Sequence, residues 1–263
     1  MSEPAPKYEP VRDGMLPAQP VRWGVPAALL GLALFVAIIV GSALLARVGW
    51  IPHTDAVSFA LTLVFYAVLV AYIIAVSHRR GLGRLARDFG FELRWVDLPI
   101  GVGLAILLHL VEGVLNSLAI SVLKLPTAPT SNIDLPRSFV WAVVVGLGVA
   151  SLLAPIVEEL YFRGLLLRAV RNLVIRKSRF EGDRTTRRAR MVSILVSAVV
   201  FAAFHLYEAR NLTMLVVLGL DILAFGLFGG WIATRTGRLG PSIIMHIATN
   251  ALGVIVALSA MPR

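Results

Sequence analysis

Two adjacent glutamates stand in an otherwise apolar stretch, PIVEELYFRG at residues 155–164. On a helix, Glu159 and Arg163 are four residues apart and share a face, so their side chains can form an ion pair. Glu158 points about 100° away from them and has no local partner, which leaves its carboxylate free to act as a general base. The plainer interpretation of this segment is a charged helix end followed by an arginine.

Three more polar side chains interrupt apolar runs later in the chain. His205 ends the stretch FAAFH, and His246 and Asn250 are four residues apart in HIATN, which places them on one helical face. An imidazole and a carboxamide that converge on one atom are suited to stabilising an oxyanion. Taken singly, His205 is more often a structural hydrogen-bond donor, and the His246–Asn250 pair is more often a contact between helices.

The segments that carry these residues are predicted to cross a membrane, because a helix needs about 20 apolar residues to span the hydrocarbon core. The apolar runs lie at 24–46, 56–77, 98–123, 138–160, 191–207, 211–233 and 241–260. The sequence therefore predicts an all-α polytopic bundle of about seven spans, with eight as the alternative, in one membrane domain over 23–263. Residues 1–22 are rich in proline and carry both signs of charge, and we expect this tail to be disordered.

The overall composition agrees with a membrane protein and excludes several kinds of site. The chain of 263 residues is 58% hydrophobic and 15% charged, and it has no cysteine. The lack of cysteine rules out disulfides, thiolate nucleophiles and cysteine-ligated metal sites. The formal net charge is +10, but the basic residues lie between the apolar runs, which argues against a nucleic-acid partner.

The positions of the basic residues predict the orientation in the membrane. Most lie in the amino-terminal tail and in 79–94, 163–190 and 235–238, which fall on one side of a bundle of seven spans. The other side keeps Arg47, Lys124, Arg137, Arg210 and Arg263. Cytoplasmic loops carry the excess of lysine and arginine, so the amino terminus is predicted to be cytoplasmic and the carboxyl terminus external. The segment 176–190 is predicted to be the largest cytoplasmic loop.

In combination and in this order, the EExxxR, FxxxH and HxxxN motifs resemble those of the CPBP intramembrane proteases, also called the ABI family, which include the type II CAAX prenyl endopeptidases. The matching residues are Glu158, Glu159 and Arg163, then Phe201 and His205, then His246 and Asn250. The stretch before the third motif is also similar, at Phe225, Gly226, Gly230, Thr236, Gly237 and Leu239. The resemblance covers about 138–260.

The resemblance implies a glutamate-dependent endopeptidase that acts within the membrane. Glu158 and His205 would orient and deprotonate a water molecule, and His246 and Asn250 would stabilise the oxyanion. Glu159 and Arg163 would brace the site as an ion pair. The substrate would be a peptide or protein, prenylated in the family's best-known case. The sequence gives no oligomeric state.

The sequence demands no cofactor but leaves metal assistance open. Two histidines and a carboxylate are a common ligand set for catalytic zinc, and here the candidates are Glu158, His205 and His246. A metalloprotease is therefore one interpretation. The chain has no HExxH motif, the helical signature of many zinc proteases, so the sequence does not demand a metal.

The depth of the candidate residues imposes a condition on the fourth span. Glu158 and His205 can meet only if that helix continues from Glu158 through Ile175, with a bend near Pro155, and we favour this continuous helix. His246 is only eight residues beyond Arg238, so it must reach toward the site or lie in a cavity that faces the basic side. A water-filled pocket open to that side would supply the hydrolytic water. His109, Glu112 and Asn116 share a face of the third span and either line the same cavity or bond neighbouring helices. Asp221, in the sixth span, is expected to pair with an imidazole or with Arg163.

Two other functions compete with proteolysis. Some relatives in the family are linked to bacteriocin immunity or scaffolding, and such a protein would act through contacts alone. The presence of all the proposed site residues favours the enzyme over this alternative. A proton-coupled transporter is the third interpretation, and the lack of an inverted repeat counts against it. The composition suggests a bacterial cytoplasmic membrane as the location.

Overall fold

The computed structural model describes residues 22–50, 52, 54–126, 133–178 and 183–261, and these form eight helices with no strand. The tail predicted to be disordered lies outside the described residues except for Arg22. The helices are α1 (Val25–Arg47), α2 (Asp55–Arg80), α3 (Leu85–Phe89), α4 (Asp97–Leu123), α5 (Phe139–Lys177), α6 (Asp183–His205), α7 (Leu212–Thr236) and α8 (Gly240–Ser259).

Seven of these helices, all except α3, are long and apolar enough to cross a membrane. Their bounds agree with the seven apolar runs of the sequence to within a few residues, apart from extensions of α5 and α6. Many large apolar side chains face outward, and Leu30, Leu110 and Val256 are examples. In water such a surface would be costly, whereas lipid tails cover it without penalty. The chain is an integral membrane protein with an all-α fold, as predicted.

The fourth span is one continuous helix of 39 residues, so Glu158 lies inside it and not at its end. The continuity favoured on the sequence is therefore confirmed. Two π-helical segments, Val144–Leu153 and Leu160–Leu166, flank a short α-helical piece that contains Pro155. Pro155 has no N–H group and cannot donate a backbone hydrogen bond. In a π segment, each N–H group donates to the carbonyl five residues earlier instead of four.

The basic segment 176–190 differs from its prediction as a loop. Helix α5 extends to Lys177 and α6 begins at Asp183, so most of the segment is helical. The apolar run at 191–207 is short because the first turns of α6 are charged and lie beyond the apolar core. Similarly, 79–94 contains the short helix α3, which ends at Gly90 in a left-handed conformation with φ of 73°.

Helices α6 and α7 pack closely where glycine removes a side chain. Gly226 and Gly230 are four residues apart, a spacing that predicts close approach of another helix. A Cβ added to Gly226 would lie 2.8 Å from the Cα and Cβ atoms of Ala198, on α6. A Cβ on Gly230 would lie 3.1 Å from the Ile194 side chain. This contact holds the helix of His205 against the helix of Asp221.

We expect the Gly226→Ala substitution to lower the free energy of unfolding by about 1–3 kcal/mol, because the added methyl group must push α6 away. Unfolding in detergent, followed by loss of helical signal, measures this. The matched control is Gly103→Ala, where a new Cβ meets no atom within 4 Å, so stability should stay level or rise by about 0.5–1 kcal/mol. Equal effects of the two substitutions would contradict the proposed close contact.

Candidate active site

Glu158 lies in the middle of the bundle, on the short α-helical piece between the two π segments of α5. Its side chain is mostly buried. One carboxylate oxygen, Oε1, accepts a hydrogen bond of 3.2 Å from the hydroxyl of Tyr66 on α2. This bond fixes the carboxylate plane and leaves the second oxygen, Oε2, to face other partners.

Two imidazoles from different helices face that second oxygen. The Nε2 atom of His205, the last residue of α6, lies 3.9 Å from Glu158 Oε2. The Nε2 atom of His246, on α8, lies 3.9 Å from the same oxygen. The structure thus brings together three residues that are far apart in the sequence. Both distances exceed a direct hydrogen bond, so each gap has the size that a shared small group would bridge.

The orientation of His205 is set by its own helix. Its Nδ1 atom lies 2.9 Å from the carbonyl oxygen of Phe201, one turn earlier. A carbonyl oxygen can only accept, so Nδ1 carries the proton and donates it. In the neutral imidazole, Nε2 is then an acceptor directed toward Glu158.

His246 is held differently, by a buried ion pair. Its Nδ1 atom lies 3.2 Å from Glu159 Oε1, and Arg163 Nη1 lies 2.9 Å from that same oxygen. The side chains of Glu159 and Arg163 have no exposed surface. The structure places the two charges four residues apart on α5, in contact, as their spacing predicts. Glu159 therefore connects the guanidinium to the imidazole that faces Glu158.

The Arg163 guanidinium also packs between aromatic rings. Its Cζ atom lies 4.4 Å from the centre of the Phe201 ring and 5.3 Å from that of Phe225. Gly229 on α7 makes room for it, because a Cβ there would lie 3.1 Å from Nη2. Phe201 thus contacts the arginine with its ring and His205 with its carbonyl, which links the ion pair to the second imidazole.

Asn250 is fixed by the irregular part of α5. Its Nδ2 atom donates a hydrogen bond of 2.8 Å to the carbonyl oxygen of Ala150, within the π segment Val144–Leu153. One amide hydrogen is used in this bond, and the second remains for another acceptor. The carboxamide lines the same cavity as His246, one turn away.

These side chains line one cavity of about 910 Å³. Glu158, His205, His246 and Asn250 all contribute to its wall. A second groove of about 350 Å³, with mostly apolar walls from α1 and α2, shares five lining residues with the cavity: Tyr66, Glu158, His205, Tyr207 and Glu208. A peptide bond could thus lie beside Glu158 while an apolar neighbour fills the groove.

One comparison with known proteins found a match. Residues 136–252 match the family model described as Type II CAAX prenyl endopeptidase Rce1-like. This match covers less than half of the chain, and it supports an assignment to the CAAX protease (CPBP) family. That family implies a protease activity, a peptide or protein substrate and a membrane environment. No curated protein and no solved structure matches the chain.

The matched CAAX protease domain contains every residue of the three motifs, from Glu158 to Asn250. Tyr66 lies outside it, on α2, and was missed by reasoning from the sequence. A tyrosine in a span usually marks the membrane interface, so its residue type gave no signal of a contact with Glu158. Only the packing of α2 against α5 reveals that contact.

A second group of polar side chains lies on another wall of the same cavity. His109 Nδ1 lies 2.9 Å from Glu112 Oε2 on α4, and Asn116 Nδ2 donates to both oxygens of Asp221 at 2.9 and 3.1 Å. Of the partners expected for Asp221, neither an imidazole nor Arg163 makes the contact, because α4 places the Asn116 amide nearer. His109 and Glu112 line the cavity, as the first of the two interpretations for α4 predicts, whereas Asn116 bonds the neighbouring helix α7 through Asp221, as the second predicts.

The cavity wall also includes Asp134, Glu208 and Arg210, which lie at the end of the bundle opposite the basic segments. None of the described residues in this wall belongs to the basic segments 79–94, 163–190 and 235–238. The segment Leu160–Leu167 of α5 is buried throughout. A pocket that opens to the basic side stays a prediction.

The zinc hypothesis finds no matching geometry in the described parts of the chain. No group of three or more histidine, aspartate or glutamate side chains there is arranged to hold a metal ion. Glu158 Oε2 lies 3.9 Å from each imidazole nitrogen, and ligands of one zinc ion at about 2.0–2.2 Å would stand closer together. We therefore assign no catalytic step to a metal.

Proposed function

We propose that this protein is an intramembrane endopeptidase that hydrolyses a peptide bond with a water molecule activated by Glu158 and His205. The observation that supports this best is the common distance of 3.9 Å from Glu158 Oε2 to His205 Nε2 and to His246 Nε2. Two hydrogen bonds of about 2.8 Å that meet at a right angle span roughly 4 Å, so one water molecule fits between the carboxylate and an imidazole.

The hydrogen bonds of the site orient that water molecule. Glu158 Oε2 and His205 Nε2 are both acceptors, since Tyr66 occupies Oε1 and the Phe201 carbonyl fixes the His205 proton on Nδ1. The water molecule donates one hydrogen to each, and a lone pair of its oxygen is left to attack a carbonyl carbon. This geometry distinguishes the roles of the two histidines, which their residue type alone does not.

The proposed reaction needs no group beyond the protein, the peptide and water. The water oxygen forms a bond to the carbonyl carbon, one proton passes to Glu158, and the carbonyl electrons move to its oxygen as an oxyanion. The oxyanion then collapses, the carbon–nitrogen bond breaks and the Glu158 proton passes to the leaving nitrogen. The immediate products are a carboxylic acid and an amine, and the acid then passes its proton to the amine, which leaves as an ammonium beside the carboxylate.

The oxyanion is stabilised by His246 and Asn250. His246 donates from Nδ1 to Glu159, so it donates from Nε2 as well only when doubly protonated. When His246 is doubly protonated, the negative charges of the two glutamates equal the positive charges of His246 and Arg163. The four buried charges then sum to zero, which a site of low polarity favours. The second amide hydrogen of Asn250 supplies the other donor.

The experiment is proteolysis by the purified protein in lipid vesicles, with internally quenched membrane peptides that are prenylated or plain. The wild type is expected to cleave, and His205→Ala is expected to lose that activity. Failure of the wild type to cleave any peptide that spans or enters the bilayer would contradict the proposal.

Asn250→Ala is expected to lower kcat by about 10²- to 10³-fold with little change in KM, because one donor to the oxyanion is lost. Steady-state kinetics on the same peptides measure the two constants. The control is Ser117→Ala, since Ser117 is exposed on α4 and donates only to the Gly113 carbonyl one turn earlier. A large rise in KM at constant kcat would assign Asn250 to substrate binding instead.

A further inference from the structure

Two backbone hydrogen bonds join the turn between α7 and α8 to the segment between α3 and α4. The backbone nitrogen of Leu239 donates to the Gly90 carbonyl at 2.8 Å, and that of Gly240, the first residue of α8, donates to the Glu92 carbonyl at 3.1 Å. Leu239 and Gly240 are both buried. A buried backbone group that loses its partner costs free energy, so these bonds fix the start of α8 along that segment.

A buried carboxylate at the first residue of α4 strengthens this connection. Asp97 Oδ1 accepts from Arg238 Nη2 at 2.6 Å and from Arg238 Nε at 3.0 Å, and Oδ2 accepts from the Arg94 backbone nitrogen at 2.8 Å. A Cβ added to Gly240 would overlap Asp97 Oδ2, so the carboxylate lies directly against the start of α8. The positive end of the helix dipole favours a negative charge at that position. Asp97 therefore connects the start of α4 to the start of α8.

Helix α5 holds the same turn from another side. Arg168 Nη2 donates to the Gly237 carbonyl at 2.7 Å. Gly237 ends α7 in a left-handed conformation, with φ of 72°. Arg168 lies ten residues after Glu158 on the same helix, or about 15 Å along it. The turn is thus fixed relative to the helix that carries Glu158.

The position of α8 determines where its two site residues lie. His246 and Asn250 follow Gly240 by six and ten residues, or about 9 and 15 Å along the helix. A helix moves as a rigid element, so a shift of its first turn displaces both side chains. His246 Nε2 lies 3.9 Å from Glu158 Oε2. A displacement of about 1 Å at such a group can cost as much as 10²-fold in rate.

We propose that these contacts form a clamp that sets the position of α8 against α5. Its positioning residues are Asp97, Arg168 and Arg238. They contact neither water nor peptide in the proposed reaction, and they act through α8 on His246 and Asn250. The inference rests on the proposed function, because it assigns these residues to the geometry of that site.

Substitutions of Arg238 test the clamp by single-turnover cleavage in lipid vesicles, with enzyme in excess. Arg238→Gln breaks the ion pair with Asp97, and the limiting rate constant at saturating enzyme is expected to fall by about 10- to 100-fold. Arg238→Lys is expected to recover most of that loss, because an ammonium still pairs with the carboxylate. The matched control is Arg94→Gln, which removes a guanidinium from the exposed Arg94–Glu92 pair in the connected segment and should leave the rate constant unchanged.

The limiting rate constant separates positioning from a purely structural role. A smaller folded fraction would raise the enzyme concentration needed for saturation, but the folded molecules would cleave at the wild-type rate. A wild-type rate constant in Arg238→Gln would therefore overturn the inference. If that variant does not fold, Arg168→Gln decides by the same criterion, since it keeps the Asp97–Arg238 ion pair and loses the bond to the Gly237 carbonyl.

A distance measurement that needs no activity separates this inference from the proposed function. The chain has no native cysteine, so spin labels can be attached to Leu152→Cys on α5 and Leu252→Cys on α8, where both native side chains are exposed. The distance distribution between the labels is expected to move or broaden in Arg238→Gln and to stay the same in Arg94→Gln. An unchanged distribution in Arg238→Gln would overturn the inference. If the wild type cleaves no peptide, the proposed function fails, and the label distances still decide whether the clamp fixes α8.

Discussion

Replacing Glu158 with glutamine is expected to lower kcat by about 10³-fold or more, since the variant keeps the shape of the side chain but cannot take a proton from water. The amide oxygen can still accept the hydrogen bond that Tyr66 donates to Oε1 of the native carboxylate. The fold and the peptide affinity should therefore persist. The measurement is single-turnover cleavage in lipid vesicles, with KM and helical content determined on the same preparations.

The chain offers a matched control in the same cavity. Glu112 also lines the wall, but it contacts His109 and belongs to the second polar group. Glu112→Gln makes the same replacement of a carboxyl by an amide in a similarly buried side chain of the same wall, and it should change kcat by less than about tenfold. Comparable losses for both substitutions would mean that the cavity needs its carboxyl groups in general, and the assignment of Glu158 as the base would fail.

Hydrophobic run length predicted the spans because membrane thickness sets a fixed helix length. The motif spacings likewise predicted which side chains share a face, and Glu159 and Arg163 do lie in contact. What spacing does not provide is the partner on another helix. His246 and Asn250 share a face, yet one contacts Glu159 and the other the Ala150 carbonyl.

The features that escaped prediction depend on packing across the bundle. The π segments of α5 present the Ala150 carbonyl to Asn250, and no residue in VVGLGVASLL marks that register. In the sequence, apolar residues such as Leu165 and Phe162 suit a lipid-facing and an interior position equally well. Only the structure shows that both are fully buried.

Breaking the buried ion pair between Glu159 and Arg163 should lower the stability of the fold more than any other substitution proposed above. Arg163→Met is expected to lower the free energy of unfolding by about 3–5 kcal/mol, because it leaves the Glu159 carboxylate buried without its cation. Neither side chain of the pair has any exposed surface. Unfolding in mixed detergent micelles, compared with wild type at one lipid composition, measures the loss. The exposed pair Asp134–Arg210 is the control, and Arg210→Met should cost about 1 kcal/mol or less.

The double variant Glu159→Gln/Arg163→Met separates stability from catalysis. With no charge left unpaired, it should recover most of the lost free energy of unfolding. It should not recover proteolysis, since the Glu159 carboxylate holds His246 at Nδ1 and balances its charge. Recovery of full kcat in the double variant would show that His246 needs no carboxylate behind it, and the neutral four-charge group proposed for the site would be wrong. An unstable double variant would instead mean that the pair is required for packing against Phe201 and Phe225.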